Sequence, residues 1–353
     1  MLRVPPLTTL VAGLLTAACA IATSPDTTIT SRMPTPEVGS HVAAIYQGRA
    51  AFLAARRDTA GAIDSYDTII RLQPESAHAY HRRGEILRAT GKLEEAISDF
   101  DTALRLAPNR SETLYQRGIA YASSGAFARA VADYDAVLLL APAFAPAYSS
   151  RGVARKLMDD HDAAIADFTA AIALDPGNPI YRLNRGATQF EKGDDDAALA
   201  DYSEAVRLKP DFALAYSNRG NVYEKRGDLA SAFADYDRAV AIEPDNANYL
   251  YNRGITFYRV KEYARAIADL DRAVQLDPDD FISLHNRGLA YFKLERYDRA
   301  IADYNRAIQI NPKFVKAFAA RGLAYRAQGD TSRAAADFDM VAKLMEPTKV
   351  AKQ

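Results

Sequence analysis

Eight prolines fall at positions 74, 108, 142, 176, 210, 244, 278 and 312, each 34 residues after the last. A fixed period with no insertion or deletion constrains the chain more than any motif, because one supersecondary unit must then build the whole. With proline as place 32, units begin at 43, 77, 111, 145, 179, 213, 247, 281 and 315. Place 8 is glycine in eight units (Gly84 to Gly322), place 20 is alanine in all nine, and place 24 is always aromatic or leucine. Small residues at places 8 and 20 let two helices of one unit cross closely. Gly91, Gly125, Gly193, Gly227 and Gly329 at place 15 suit a left-handed helix end. Asp194, Asp228 and Asp330 follow three of them, where they can cap the next helix. Proline cannot continue a helix interior, so place 32 closes the second helix or opens the next turn. One unit alone cannot bury its apolar stripe, so stacking must supply the core.

This pattern of glycine, alanine, aromatic and proline resembles the tetratricopeptide-repeat (TPR) family over residues 43–348. The resemblance implies an all-α, right-handed α-solenoid (a superhelix) of about nine helix-turn-helix units. Their bounds are 43–76, 77–110, 111–144, 145–178, 179–212, 213–246, 247–280, 281–314 and 315–348, with a short tail at 349–353. The first unit departs most, with Ala50 in place of glycine. The last carries Ala335 and Ala342 where other units have large apolar residues, which makes an exposed end less apolar.

The chain has 44 basic and 45 acidic residues, a formal net charge of -1. Nucleic acid is not an expected partner, since it requires a basic surface. No Gly-rich phosphate loop or nucleophile elbow is visible, so no enzyme, cofactor or small-molecule substrate is expected. The one metal-site alternative is His78, His81 and Glu85, spaced i, i+3, i+7 on one helix face without an HExxH motif. The reading favoured there is a solvated polar face with no metal.

Residues 1–22 read as an export signal: Arg3 is positive, and Leu7 to Ala22 is apolar apart from threonines. Within it, Leu15-Thr16-Ala17-Ala18-Cys19 resembles a bacterial lipobox, which implies cleavage before Cys19 and a lipid on its sulfur. Cys19 is the only cysteine of the chain, so no intramolecular disulfide can form. Ordinary cleavage after Ala20-Ile21-Ala22 is the alternative. Residues 23–42, rich in Ser, Thr and Pro, read as a tether.

Arginine holds place 7 in all nine units, and aspartate holds place 23 in eight. Such an array, in step with the repeat, reads as structural ion pairs within a unit or across a junction. In TPR proteins helix A lines the concave groove with places 2, 5, 6, 9, 12 and 13. Place 6 reads Asn184, Asn218, Asn252 and Asn286 in consecutive units. This resembles the asparagine ladder of the O-linked N-acetylglucosamine transferases, which implies amides holding an extended peptide; a carboxamide both donates and accepts. Phe190, Tyr251, Ile255, Tyr258, Leu289 and Phe292 are candidate anchors beside it, flanked by Lys225, Arg259, Lys293 and Arg326. Place 5 never holds lysine, so capture of a chaperone tail is not expected.

The expected function is a non-enzymatic scaffold of the bacterial cell envelope that binds a protein or extended peptide in its groove. It resembles TPR lipoproteins that act as adaptors for envelope assembly or for peptidoglycan hydrolases. Ala20 after the cysteine points to an outer-membrane anchor facing the periplasm. A soluble periplasmic scaffold that self-assembles as a homo-oligomer is the alternative.

Overall fold

The structure, a computed structural model, describes residues 36–346, with side chains from residue 41. Cys19, the signal segment, most of the tether and the 349–353 tail lie outside the described residues. Eighteen helices and no strand occur among the described residues. They form nine pairs: Pro36–Ala55 with Thr59–Leu72, then Ala77–Ala89 with Leu93–Leu106, and so on to Val315–Ala327 with Thr331–Met345. From the second unit onward the first helix (A) begins at or near place 1, and the second (B) starts at place 17. The first helix begins earlier, at Pro36, so the segment read as tether is helical from there. Proline fits a first helical turn because its missing N–H would have no partner there.

In six repeats the glycine at place 8 meets the ring at place 24, and Gly254 meets Leu270 there. A methyl group on Gly84 would lie 2.7 Å from Phe100, and one on Gly288 would lie 2.6 Å from Tyr304. Those rings and the place-20 alanines are fully buried. At place 15 the backbone is left-handed in every unit. The five glycines have φ near +80°, and Arg57, Asp159, Lys261 and Glu295 adopt φ of 58–67° in the other four. Asp194, Asp228 and Asp330 cap helix B as expected, each accepting from the N–H three residues on.

Arginine at place 7 joins helices in two directions. Arg83 donates through Nε and Nη2 to both oxygens of Asp99 in its own unit, at 2.7 and 2.6 Å. Its Nη1 reaches back to Asp67 on the previous helix B at 2.5 Å. Arg117, Arg151, Arg253 and Arg287 repeat the double clamp. The backward partner stands at place 25, whose residue varies from repeat to repeat.

The chain divides into two compact units, one ending at Gly193 and one beginning at Asp194, so the helices of the fifth repeat belong to different units. Within each unit an A helix packs on its own B helix where both lie in that unit, on the B helix before it, and, from the third repeat on, on the A helix before it in the same unit. No described helix is long and apolar enough to cross a membrane.

Candidate partner-binding face

The direct contact between successive A helices decides what place 6 can do. In the C-terminal unit, Asn286 donates to the Tyr251 hydroxyl at 3.2 Å and to the Ile282 carbonyl at 2.8 Å. Asn252 is buried and turns its Nδ2 toward Ser217 Oγ and Asn221 Oδ1, both at 3.4 Å. Each of these asparagines reaches the place-5 residue one repeat back. Tyr115 and Ser150 share the same offset in the N-terminal unit, with their hydroxyls 3.1 Å apart. Place 6 is thus a rung between repeats. This corrects the ladder expected from sequence at Asn252, which offers no surface to a peptide, and at Asn286, whose amide is engaged internally. Asn218 is half-buried and its amide makes no hydrogen bond among the described residues. Asn184, in the N-terminal unit, is buried.

The expected anchors divide in the same way. Tyr251 is buried and therefore does not line an open surface. Tyr258 and Phe292 are half-buried, packed at a tilt and edge-on against Tyr263 and Tyr297 of their own B helices, with ring centroids 5.5 and 5.4 Å apart. Phe190 is half-buried in the N-terminal unit. Among the cations, Lys225 is held by Asp195 at 2.6 Å and Arg259 by Glu224 at 2.7 Å. Lys293 is exposed and has no ion-pair partner among the described residues.

Behind this face lies a polar cluster that sequence reasoning missed. Tyr236 donates to Asn221 Oδ1 at 2.7 Å or to Glu224 Oε2 at 2.9 Å, and both acceptors are buried. Burial, and then the Glu224 charge, push the Tyr236 hydroxyl far above the usual phenol range. Glu224 is kept in the interior by Arg259 and Tyr236 together. The only sequence signal was a pair of polar residues at places 9 and 12, where neighbouring repeats carry Ile255, Leu289, Tyr258 and Phe292.

What remains open in the C-terminal unit is a run at places 2, 9, 12 and 13. Ile255 and Leu289 are half-buried and Leu323 is 40% exposed, at place 9 of three consecutive A helices. Lys293, Lys316 and Arg326 are exposed on the last two of those helices. An apolar strip edged by cations can take up a segment with apolar side chains and flanking carboxylates.

In the N-terminal unit, His78 is exposed, whereas His81 is buried and lies near Glu85 and Glu112. The grouping of His78, His81 and Glu85 read from sequence is corrected accordingly: Glu112, from the next A helix, takes the place of His78.

A family model described as tetratricopeptide repeat matches residues 47–111 and 115–179. Three further models of the same repeat match 188–227, 220–287 and 282–314. No curated protein sequence matches the chain. Among solved structures, a tetratricopeptide repeat protein from Parabacteroides merdae is 21% identical, with 71% of this chain and 99% of that one covered and a TM-score of 0.59. The anaphase-promoting-complex hetero-tetramer Cut9–Hcn1 gives 18% identity, coverage of 82% and 58%, and a TM-score of 0.57. A MamA crystal structure is 25% identical over 47% of this chain and 91% of that one, with a TM-score of 0.45.

Proposed function

Because the chain belongs to the tetratricopeptide-repeat family, we propose that it is a binding scaffold whose partner is a protein segment taken up on the A-helix face of repeats 7–9. The observation that carries this is the strip of Ile255, Leu289 and Leu323 bordered by Lys293, Lys316 and Arg326. Apolar burial supplies affinity, and the cations select a segment with acidic flanks and set its register. Asn252 and Asn286, two of the asparagines expected to hold the peptide, act instead on the spacing of the A helices that form the strip. Photo-crosslinking tests this: a photoreactive residue at Leu289 should label the partner, and one at Gln309 on helix B should not. Equal labelling at both positions would move recognition off this face.

We further propose that the scaffold works at the periplasmic side of a bacterial envelope, held by a lipid on Cys19. The support is the lipobox-like run ending at the only cysteine. Cys19→Ala should release the protein from membranes into the soluble fraction; unchanged membrane association would contradict the anchor.

A further inference from the structure

We propose that His81, Glu85 and Glu112 bind a divalent transition-metal ion between the A helices of the second and third repeats. His81 and Glu85 lie one turn apart on Ala77–Ala89, and Glu112 opens the helix Ser111–Ser123. His81 Nε2 is 3.6 Å from Glu85 Oε1 and 3.8 Å from Glu112 Oε1, and the three ligand atoms all lie within 4.8 Å of one another. It is the one such convergence of three donors among the described residues.

Those distances are too long for N–H···O hydrogen bonds, which run about 2.7–3.2 Å. They sit just above the roughly 3.3 Å that separates two donors on a tetrahedral ion with bonds near 2.0–2.1 Å. Shifts of a few tenths of an ångström would bring His81 to that separation from each carboxylate. His81 is 1% exposed, yet its Nε2 has no hydrogen-bond partner among the described residues. A buried ring nitrogen aimed at two carboxylates, too far from both to bond, marks a centre where a cation belongs.

The surroundings orient the donors. His81 Nδ1 lies 3.0 Å from Thr113 Oγ1; if Nδ1 carries the proton and donates it, the Nε2 lone pair is left for a metal. Arg82 holds the other oxygen of Glu85 at 2.5 Å and so fixes Oε1 toward the histidine. One imidazole with two carboxylates suits zinc, manganese or iron(II) better than calcium or magnesium, which favour oxygen alone. Arg82, ion-paired to Glu85, sets a positive charge beside the site and will weaken it relative to one free of cations. Glu112 is 64% exposed and gives the ion a route in. The site lies in the N-terminal unit and stands independently of the partner-binding face.

The test uses the full, untagged chain stripped with chelator, then equilibrated with Zn²⁺ and, separately, with Co²⁺. One ion per chain, a rise in Tm and visible cobalt absorption are expected. Glu112→Gln, at an exposed position, should keep the fold and lose at least tenfold in metal affinity. His81→Gln should lose the ion as well, and His78→Gln should bind as wild type. A folded wild type that takes up no stoichiometric ion, or a Glu112→Gln variant that binds as well as wild type, would overturn the proposal.

Discussion

At the scale of single residues, the repeat imposes a backbone before it imposes a side chain. All nine place-15 residues are left-handed, although only five are glycine. The left-handed region costs an L-residue about 1–2 kcal/mol, and glycine returns about 0.5–1 of that through its greater freedom when unfolded. Lys261→Gly and Glu295→Gly should therefore each stabilise the protein by roughly 0.5–1 kcal/mol, read from chemical denaturation. The conformation was legible where glycine marked it and hidden in the other four repeats, because Arg57, Asp159, Lys261 and Glu295 carry no local signal. The arginines at place 7 were legible as ion pairs, but only half of their work was. Their buried partner at place 23 recurs in eight repeats, whereas the backward partner at place 25 varies: Asp67 and Asp237 are carboxylates, but Ser203 and Asn305 are not. Arg253→Ala would leave Asp269 buried and unpaired, and should cost on the order of 3 kcal/mol. Replacing both residues by apolar ones of similar size should recover much of that. A single variant as stable as wild type would show the clamp to be dispensable.

At the scale of helices, the place-8 glycines and place-24 rings fix how closely A and B approach. Gly288→Ala would set its methyl group against the buried Tyr304 ring and should destabilise by about 1–3 kcal/mol. That contact was readable, since both places are nearly invariant along the chain. The role of place 6 was not. Sequence spacing puts Asn252 and Asn286 on helix A, but which side of the helix faces the groove depends on how far each A helix is rotated against the one before. Contact between A helices turns place 6 toward place 5 of the preceding repeat and spends its hydrogen bonds there. The buried Asn221–Glu224–Tyr236 cluster was equally hidden, because its satisfaction depends on Arg259 arriving from the next repeat.

At the scale of the whole molecule, the period fixed the class of fold and the number of repeats, while the surface left for a partner emerged only from packing. The same packing predicts that the protein loses stability in acid. His285 is buried against Tyr304 and Phe314, and burial, then the nearby Lys316 charge, lower its pKa to about 4. The unfolded chain binds this proton near pH 6.5 and the folded one does not, so the stability it carries is complete above pH 6.5. That stability drains away as pH falls toward 4, by about 3 kcal/mol at most. His285→Asn should reduce this limb of the pH–stability curve, to which the likewise buried His81 also contributes. An unchanged limb would place the acid sensitivity elsewhere.

The central claim is that the A-helix strip of repeats 7–9 recognises a partner while the asparagine rungs hold the repeats together. The most direct measurement is the Kd of a display-selected peptide for the wild type, Leu289→Asp and Asn252→Ala, with helicity and Tm recorded for each. Leu289→Asp should weaken binding at least tenfold at unchanged helicity. Asn252→Ala should lower stability by about 1 kcal/mol and leave Kd within about twofold. The reverse pattern, with full affinity in Leu289→Asp and binding lost in a stably folded Asn252→Ala, would contradict the account.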